Sequence, residues 1–236
     1  MEILKGIEII DLALYIKKQN ILILSDIHIG YEESLNKQGI LVPRFQFKDQ
    51  IIRIGKILDS VKIKTIIING DLKHEFGKIS EQEWRETLKF LDLLSKKSEN
   101  VILLKGNHDK ILTPIAGKRN LKIEDYFMID DIYFCHGDKI PKDADFKKAK
   151  TVIIGHEHPA ISFKERPTDK FKCFLKGKYK TKKLIVQPSF NLVTEGTDIT
   201  KDSLLSPFLK QDLKKFEVWI VGDKVRFFGK IKEFLA

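Results

Sequence analysis

The chain reads as an α/β protein with mixed sheets, and three observations lead there. Short runs rich in Ile, Val and Leu recur at residues 21–24, 65–68, 101–104, 132–134, 151–154 and 184–186, with the near-continuous hydrophobicity of buried strands. Helical patterns separate the first three runs, which is the alternation of an α/β fold. From residue 129 onward the strand-like runs succeed one another with little helix between them, so a second sheet packed on the first is expected.

Each element has its own local cause. Residues 21–24 are wholly apolar and stop at Ser25. The next pattern, 48–61, places Ile51, Ile52, Ile54, Ile57 and Leu58 at mixed three and four spacing, which predicts an amphipathic helix. After the strand at 65–68, Ser80 is an N-cap, and Glu83 three residues later completes a capping box. Trp84, Leu88, Leu91 and Leu94 then fall on one helical face. The end of the chain, 216–231, reads as a hairpin turning at Gly222–Asp223. The segment 160–183 is the most basic. Its Phe163, Phe171, Phe174 and Tyr179 read as core-facing rings of an edge hairpin. Its lysines either guard that edge or track an anionic backbone.

The totals bound the class. The 236 residues are 42% apolar and 32% charged, ample for a core and too apolar for disorder. With no linker, repeat or low-complexity tract, one domain over 1–236 is expected. No apolar run approaches the roughly 18–20 residues of a membrane span. The first residues lack a basic head and a small-residue cleavage site, so a cytoplasmic protein is expected, with Cys135 and Cys173 as reduced thiols. The net charge of +10 fits an anionic partner such as nucleic acid, or simply a lysine-rich surface.

The residues just beyond each strand carry the chemistry. The first run leads into Ser25-Asp26-Ile27-His28, and the second into Asn69-Gly70-Asp71-Leu72-Lys73-His74. The third leads into Gly106-Asn107-His108-Asp109. The next two lead into Cys135-His136-Gly137-Asp138 and Gly155-His156-Glu157-His158. All 6 histidines of the chain stand in these five places. Strand ends of an open α/β sheet converge on one crevice, so these residues can meet. Three carboxylate or amide oxygens and four imidazoles form an N/O donor set that suits Mn²⁺, Fe²⁺ or Zn²⁺ better than Ca²⁺. Seven donors exceed one tetrahedral ion and fit two ions roughly 3.5–4 Å apart, sharing a carboxylate. Cys135 is either a thiolate ligand or a small buried filler. Asp138 and Glu157 read as supporting or solvent residues.

The ordered set D-x-H, G-D-x-x-H, G-N-H-D, H-G and G-H-x-H resembles the calcineurin-like metallophosphoesterase superfamily over residues 20–195. SDIHIGYEESLNKQGILVPRFQ, GDLKHEFG, GHEHPA and CFLKGKY…LIVQPSFN are similar to the ICC-like branch, which includes ligase-associated phosphoesterases of the DNA-damage response. The resemblance implies a four-layer αββα sandwich with a dinuclear metal site at the strand ends. It implies Asp26, His28, Asp71 and His158 at one metal, and Asp71, Asn107, His136 and His156 at the other, with Asp71 bridging. His108 would act near the leaving group, oriented by Asp109. His74 stands where phosphoprotein phosphatases carry arginine and nucleases tend to carry histidine, which points to a phosphodiester. Arg44 is either a substrate-phosphate contact or a surface residue.

The expected function is phosphoester hydrolysis, with nucleic acid favoured, by a hydroxide shared between two divalent ions, Mn²⁺ favoured and Fe²⁺ or Zn²⁺ possible. The alternatives are a small-molecule or nucleotide phosphatase or phosphodiesterase, and a metal-stabilised DNA-binding protein without turnover. Association with a DNA-repair ligase or helicase is implied by the resemblance alone. No membrane partner is expected, and the sequence leaves oligomeric state open.

Overall fold

The computed structural model describes residues 1–43, 45–77, 79–163 and 166–234. In chain order the elements begin with β1 (Glu2–Leu4), β2 (Ile7–Ile10), β3 (Ala13–Ile16), β4 (Ile21–Leu24), α1 (Tyr31–Lys37) and α2 (Gln46–Ser60). Next come β5 (Thr65–Asn69), α3 (Glu81–Lys97), β6 (Asn100–Leu104), α4 (Thr113–Gly117), β7 (Lys122–Glu124) and β8 (Phe127–Ile129). After these stand β9 (Ile132–Phe134), α5 (Ala144–Lys148), β10 (Thr151–Ile154), β11 (Pro159–Phe163), β12 (Arg166–Tyr179) and β13 (Lys182–Val186). The last are β14 (Thr197–Asp198), β15 (Glu217–Val221) and β16 (Val225–Lys230).

Two mixed sheets result. The first runs β1-β2-β3-β4-β5-β6-β7, antiparallel up to β4 and parallel from there. The second runs β14-β11-β12-β13-β10-β9-β8, with β15 on β12 and β16 on β15. In it β10 is parallel to both neighbours, β9 and β13. The parallel strands β4, β5, β6, β9 and β10 therefore deliver their loops in the order an α/β crevice needs.

Packing obeys the period-two rule of strands. Ile153 of β10 shares a core with Ile23, Ile67 and Leu103 of the first sheet, whereas Val152 and Ile154 belong to a second core behind it. On the far side of the first sheet, Ile54 and Leu58 of α2 and Phe90 and Leu94 of α3 complete the main core. The outer core of the second sheet is closed by Phe146 of α5 and by Phe208, Leu209 and Leu213. The sandwich is thus αββα, but its fourth layer is one short helix plus an irregular segment. Ser206 pins that segment by donating its hydroxyl to the Gly137 carbonyl at 2.7 Å.

Several expectations need correction. The strands β1–β3 form an N-terminal meander that apolar runs alone did not show. Ile7 and Ile9 are buried while Glu8 and Ile10 are only partly so, a weak alternation. Ser80 caps α3 by accepting from the Glu83 amide at 3.0 Å, but the capping box is not closed. The Glu83 carboxylate instead accepts from the His74 and Glu75 amides at 2.9 and 3.0 Å. The strand β12 is no edge, because it pairs with β11, β13 and β15. Of its rings Phe174 is fully buried, as expected.

Several lysines of the basic segment are engaged within the molecule. Lys172 donates to the Ser189 carbonyl at 2.9 Å and to that of Asn191, and Lys182 donates to the Lys147 carbonyl at 2.9 Å. Lys170 pairs with Asp202 at 2.8 Å and Lys176 with Glu217 at 2.5 Å. Lys164 lies outside the described residues. Among the described residues, no helix is long and apolar enough to cross a membrane.

Candidate metal centre

The loops that leave the parallel strands are held in an uncommon backbone conformation. Asp26, His28, Asp71, His156 and His158 all have positive φ, between 48° and 66°. Asp and His are among the side chains that tolerate this left-handed region, and residues held in sparse backbone regions cluster at functional sites. Hydrogen bonds between loops hold the conformation. The Asp26 amide donates to the Gly70 carbonyl at 3.2 Å and the His28 amide to the Asp71 carbonyl at 3.0 Å. A Cβ at Gly106 would lie 2.1 Å from the Asp71 carboxylate, so only glycine lets the loop after β6 approach it.

This geometry gathers side chains from both sheets. Asp26, His28 and His158 present one set of donor atoms within 4.8 Å of one another, and Asp71, His136 and His156 present a second. His158 Nε2 is 3.3 Å from Asp26 Oδ1, and His136 Nε2 is 3.3 Å from Asp71 Oδ2. Asn107 Oδ1 joins the second set, 2.9 Å from His136 Nε2. His28 Nε2 lies 3.8 Å from Asp71 Oδ2, so Asp71 stands between the sets.

The donor chemistry fits a cation in each set. His28 Nε2 and His158 Nε2 face each other at 3.2 Å, and His156 Nδ1 and His136 Nε2 do so at 3.1 Å. Each pair has a carboxylate beside it. Imidazole lone pairs and carboxylate oxygens that converge this way need a proton or a metal between them.

The electrostatics show the same strain. Burial pushes the Asp26 carboxyl upward, but His158, His136 and the Ser25 hydroxyl outweigh it and lower the pKa to about 2. Burial pushes His136 downward, but Asp71 and Asp26 raise it to about 9. His28 is lowered by burial and by His158, and His156 by burial and by His136.

The other expected residues divide. His108 stands at the rim, with Nε2 3.9 Å from Asp71 Oδ2 and its amide donating to Asp71 Oδ1 at 2.9 Å. His74 is beside it, ring centroids 5.2 Å apart, and burial with the neighbouring His108 lowers its pKa to about 4. Asp109 does not orient His108, because His108 Nδ1 bonds to the His74 carbonyl. The buried Asp109 carboxylate accepts instead from the Gly106, Leu72 and Lys73 amides at 3.1, 3.4 and 3.4 Å, tying two loops together. Burial and Asp71 push its pKa up to about 6. Cys135 is a buried filler outside both donor sets, its thiol kept neutral by burial and by Asp138. Glu157 turns away to accept from the Leu205 and Ser206 amides at 2.9 and 2.8 Å. Arg44 lies outside the described residues.

Some supporting residues were not singled out in the sequence. Ser25 donates its hydroxyl to Asp26 Oδ2 at 2.6 Å, and Ser189 to the Asp26 carbonyl at 2.7 Å. Asn191 Nδ2 donates to the Ile27 and His28 carbonyls at 3.1 and 3.2 Å. The fully buried Lys73 donates to the His108 and Glu75 carbonyls, joining the loops after β5 and β6. Ser25, Lys73 and the stretch 187–191 all lie within segments that carry the resemblance, and they gave their signal through it.

Over the cluster lies a cleft of about 220 Å³, with Tyr31 and Thr194 on its walls. A larger concavity of about 750 Å³ sits elsewhere, beside Asn20, Lys64 and Lys122, and holds none of the clustered donors.

Two packed sheets with a mixed N/O donor cluster at their shared strand ends define an α/β sandwich with two adjoining candidate cation sites. The model of the calcineurin-like phosphoesterase family matches residues 19–196, and the chain belongs to that family. Among solved structures, the nuclease MPE of Pseudomonas putida aligns with TM-score 0.68 and 19% identity, covering 92% of each chain. Yfce, a phosphoesterase from E. coli, aligns with TM-score 0.42 and 11% identity over 89% of this chain and 98% of its own. No curated protein sequence matches the chain.

Proposed function

We propose that the protein is a metal-dependent phosphodiesterase of the cytoplasm, acting as one domain on nucleic acid, with Mn²⁺ the favoured ion. The observation that carries this reading is the gathering of Asp26, His28 and His158 beside Asp71, His136, His156 and Asn107, with His28 Nε2 3.8 Å and His108 Nε2 3.9 Å from the Asp71 carboxylate. Asp26, His28, Asp71 and His158 would hold one cation. Asp71, Asn107, His136 and His156 would hold the other. The pair would supply Lewis acidity to a phosphoryl group and to the attacking water.

The chain's own part in the chemistry falls to His108. Its Nδ1 is fixed on the His74 carbonyl, so Nε2 is the nitrogen presented to the cleft. As an imidazolium it donates the Nε2 proton to the departing oxygen while the P–O bond breaks. His74 lines the cleft beside it and favours a diester over a phosphoprotein monoester. The net charge of +10 and the fold shared with a Pseudomonas nuclease support nucleic acid as the substrate. A DNA-repair ligase or helicase as partner belongs to the same reading.

A second reading has its own observation. The cleft is small, and four lysines of the basic segment are engaged internally, which favours a small phosphodiester. An activity panel with added Mn²⁺ decides between them, using single-stranded DNA, RNA and a bis-aryl phosphate. Nucleic-acid turnover that falls steeply with salt is expected. Salt-insensitive turnover of the aryl diester alone would favour the small substrate. An inert, metal-loaded protein would leave only a binding role.

A further inference from the structure

Phe76 stands on the loop after β5, two residues beyond His74. Its ring lies against His108, centroids 3.7 Å apart and planes tilted by 32°. Yet 48% of Phe76 remains exposed, so the ring covers the histidine with one face and offers the rest to solvent. Beside it, Lys110 holds its ammonium 6.0 Å from the Phe76 centroid. The two residues come from different loops, which the buried Lys73 clamps together through the Glu75 and His108 carbonyls. An aromatic placed only to shield His108 would be expected to bury its outer face as well.

From this geometry we infer that Phe76 is a stacking platform for a nucleobase on the leaving-group side of the scissile phosphate, with Lys110 meeting the next phosphate. The inference rests on the nucleic-acid reading above. The chemistry matches on both counts. A base offers a flat π-face one nucleotide from the phosphate that His108 serves. A single strand offers a negative charge at each step beyond it. Alternating rings and cations are how proteins hold unpaired strands without reading their sequence. A duplex would keep that base stacked in its own helix, so the platform selects an unpaired strand. The predicted role is in substrate positioning, and its effect belongs in KM more than in kcat.

A short single-stranded DNA carrying one abasic nucleotide, moved step by step along the strand, tests the inference with the Mn²⁺-loaded protein. In the native protein kcat/KM should fall roughly 5- to 150-fold when the abasic step lies next to the cleaved bond on the leaving side, the range expected for one lost stack. In Phe76→Ala the intact and abasic strands should be cleaved within about twofold of each other, the scatter expected once that stack is gone. Phe76→Tyr should restore the difference. Because each variant is compared with itself, any change in His108 cancels. Lys110→Gln should lower the slope of log rate against log salt by roughly one phosphate contact. A difference that survives in Phe76→Ala overturns the platform, as does a native protein that cleaves both strands equally. A native protein that cleaves no oligonucleotide overturns the nucleic-acid reading and the platform together.

Discussion

Asp71 is the side chain where both donor sets meet, and its two oxygens have different tasks. Oδ1 accepts from the His108 amide at 2.9 Å, while Oδ2 lies 3.3 Å from His136 and 3.8 Å from His28. Asp71→Asn puts an amide where both an acceptor and a charge are needed. Metal-dependent turnover should fall below detection while the circular-dichroism spectrum stays native. His108→Ala should keep both metals, counted by elemental analysis, and lose roughly 10²–10⁴-fold in rate, the usual worth of a positioned acid. Full activity in that metal-replete variant would remove His108 from the mechanism. The donors themselves were legible in the sequence, since each comes just after an apolar strand and carries Asp, Asn or His. Their partners were not. Asp109 reads as a companion of His108 because they are neighbours in the chain, but its carboxylate points into the loop backbone. The left-handed φ of Asp26, His28, Asp71, His156 and His158 was equally hidden, because it arises from contacts between loops.

Elements were legible where one physical rule acted alone. The strands β4 and β10 fall where short, fully buried runs rich in Ile, Leu and Val end in Ser25 and Gly155, because both of their faces are covered. The first two strands of the meander, β1 and β2, gave a weaker signal, each placing a glutamate among apolar residues within a short strand. The basic strand β12 was misplaced at an edge. Its lysines satisfy carbonyls and carboxylates inside the fold, a use that composition does not reveal. Two substitutions test the elements. Ser80→Ala removes the acceptor for the Glu83 amide and should cost about 1 kcal/mol, seen as a lower urea midpoint. Because Glu83 also holds the His74 and Glu75 amides, activity should fall too if the helix start loosens. Ile67→Ala, in the middle of the first sheet and fully buried, should cost about 2–5 kcal/mol in the same measurement.

At the scale of the whole molecule, the donors span two sheets: Asp26, His28, Asp71 and Asn107 leave the first, and His136, His156 and His158 the second. A cation that binds only the folded arrangement stabilises it by mass action, by about 2.7 kcal/mol at a hundred times its Kd. Mn²⁺ should therefore raise Tm and a chelator lower it, by scanning calorimetry. A Tm indifferent to both would mean that the cluster holds no metal in solution. The two cysteines supply a separate reporter. Cys135 and Cys173 are both buried in the second sheet, one next to His136 and the other paired across to Ile220. Burial keeps both thiols protonated, so a disulfide reagent finds no nucleophile while that sheet is closed. Colour released by such a reagent would act as a clock, timing how often the second sheet of the sandwich comes apart. The clock should run slower with every increment of manganese.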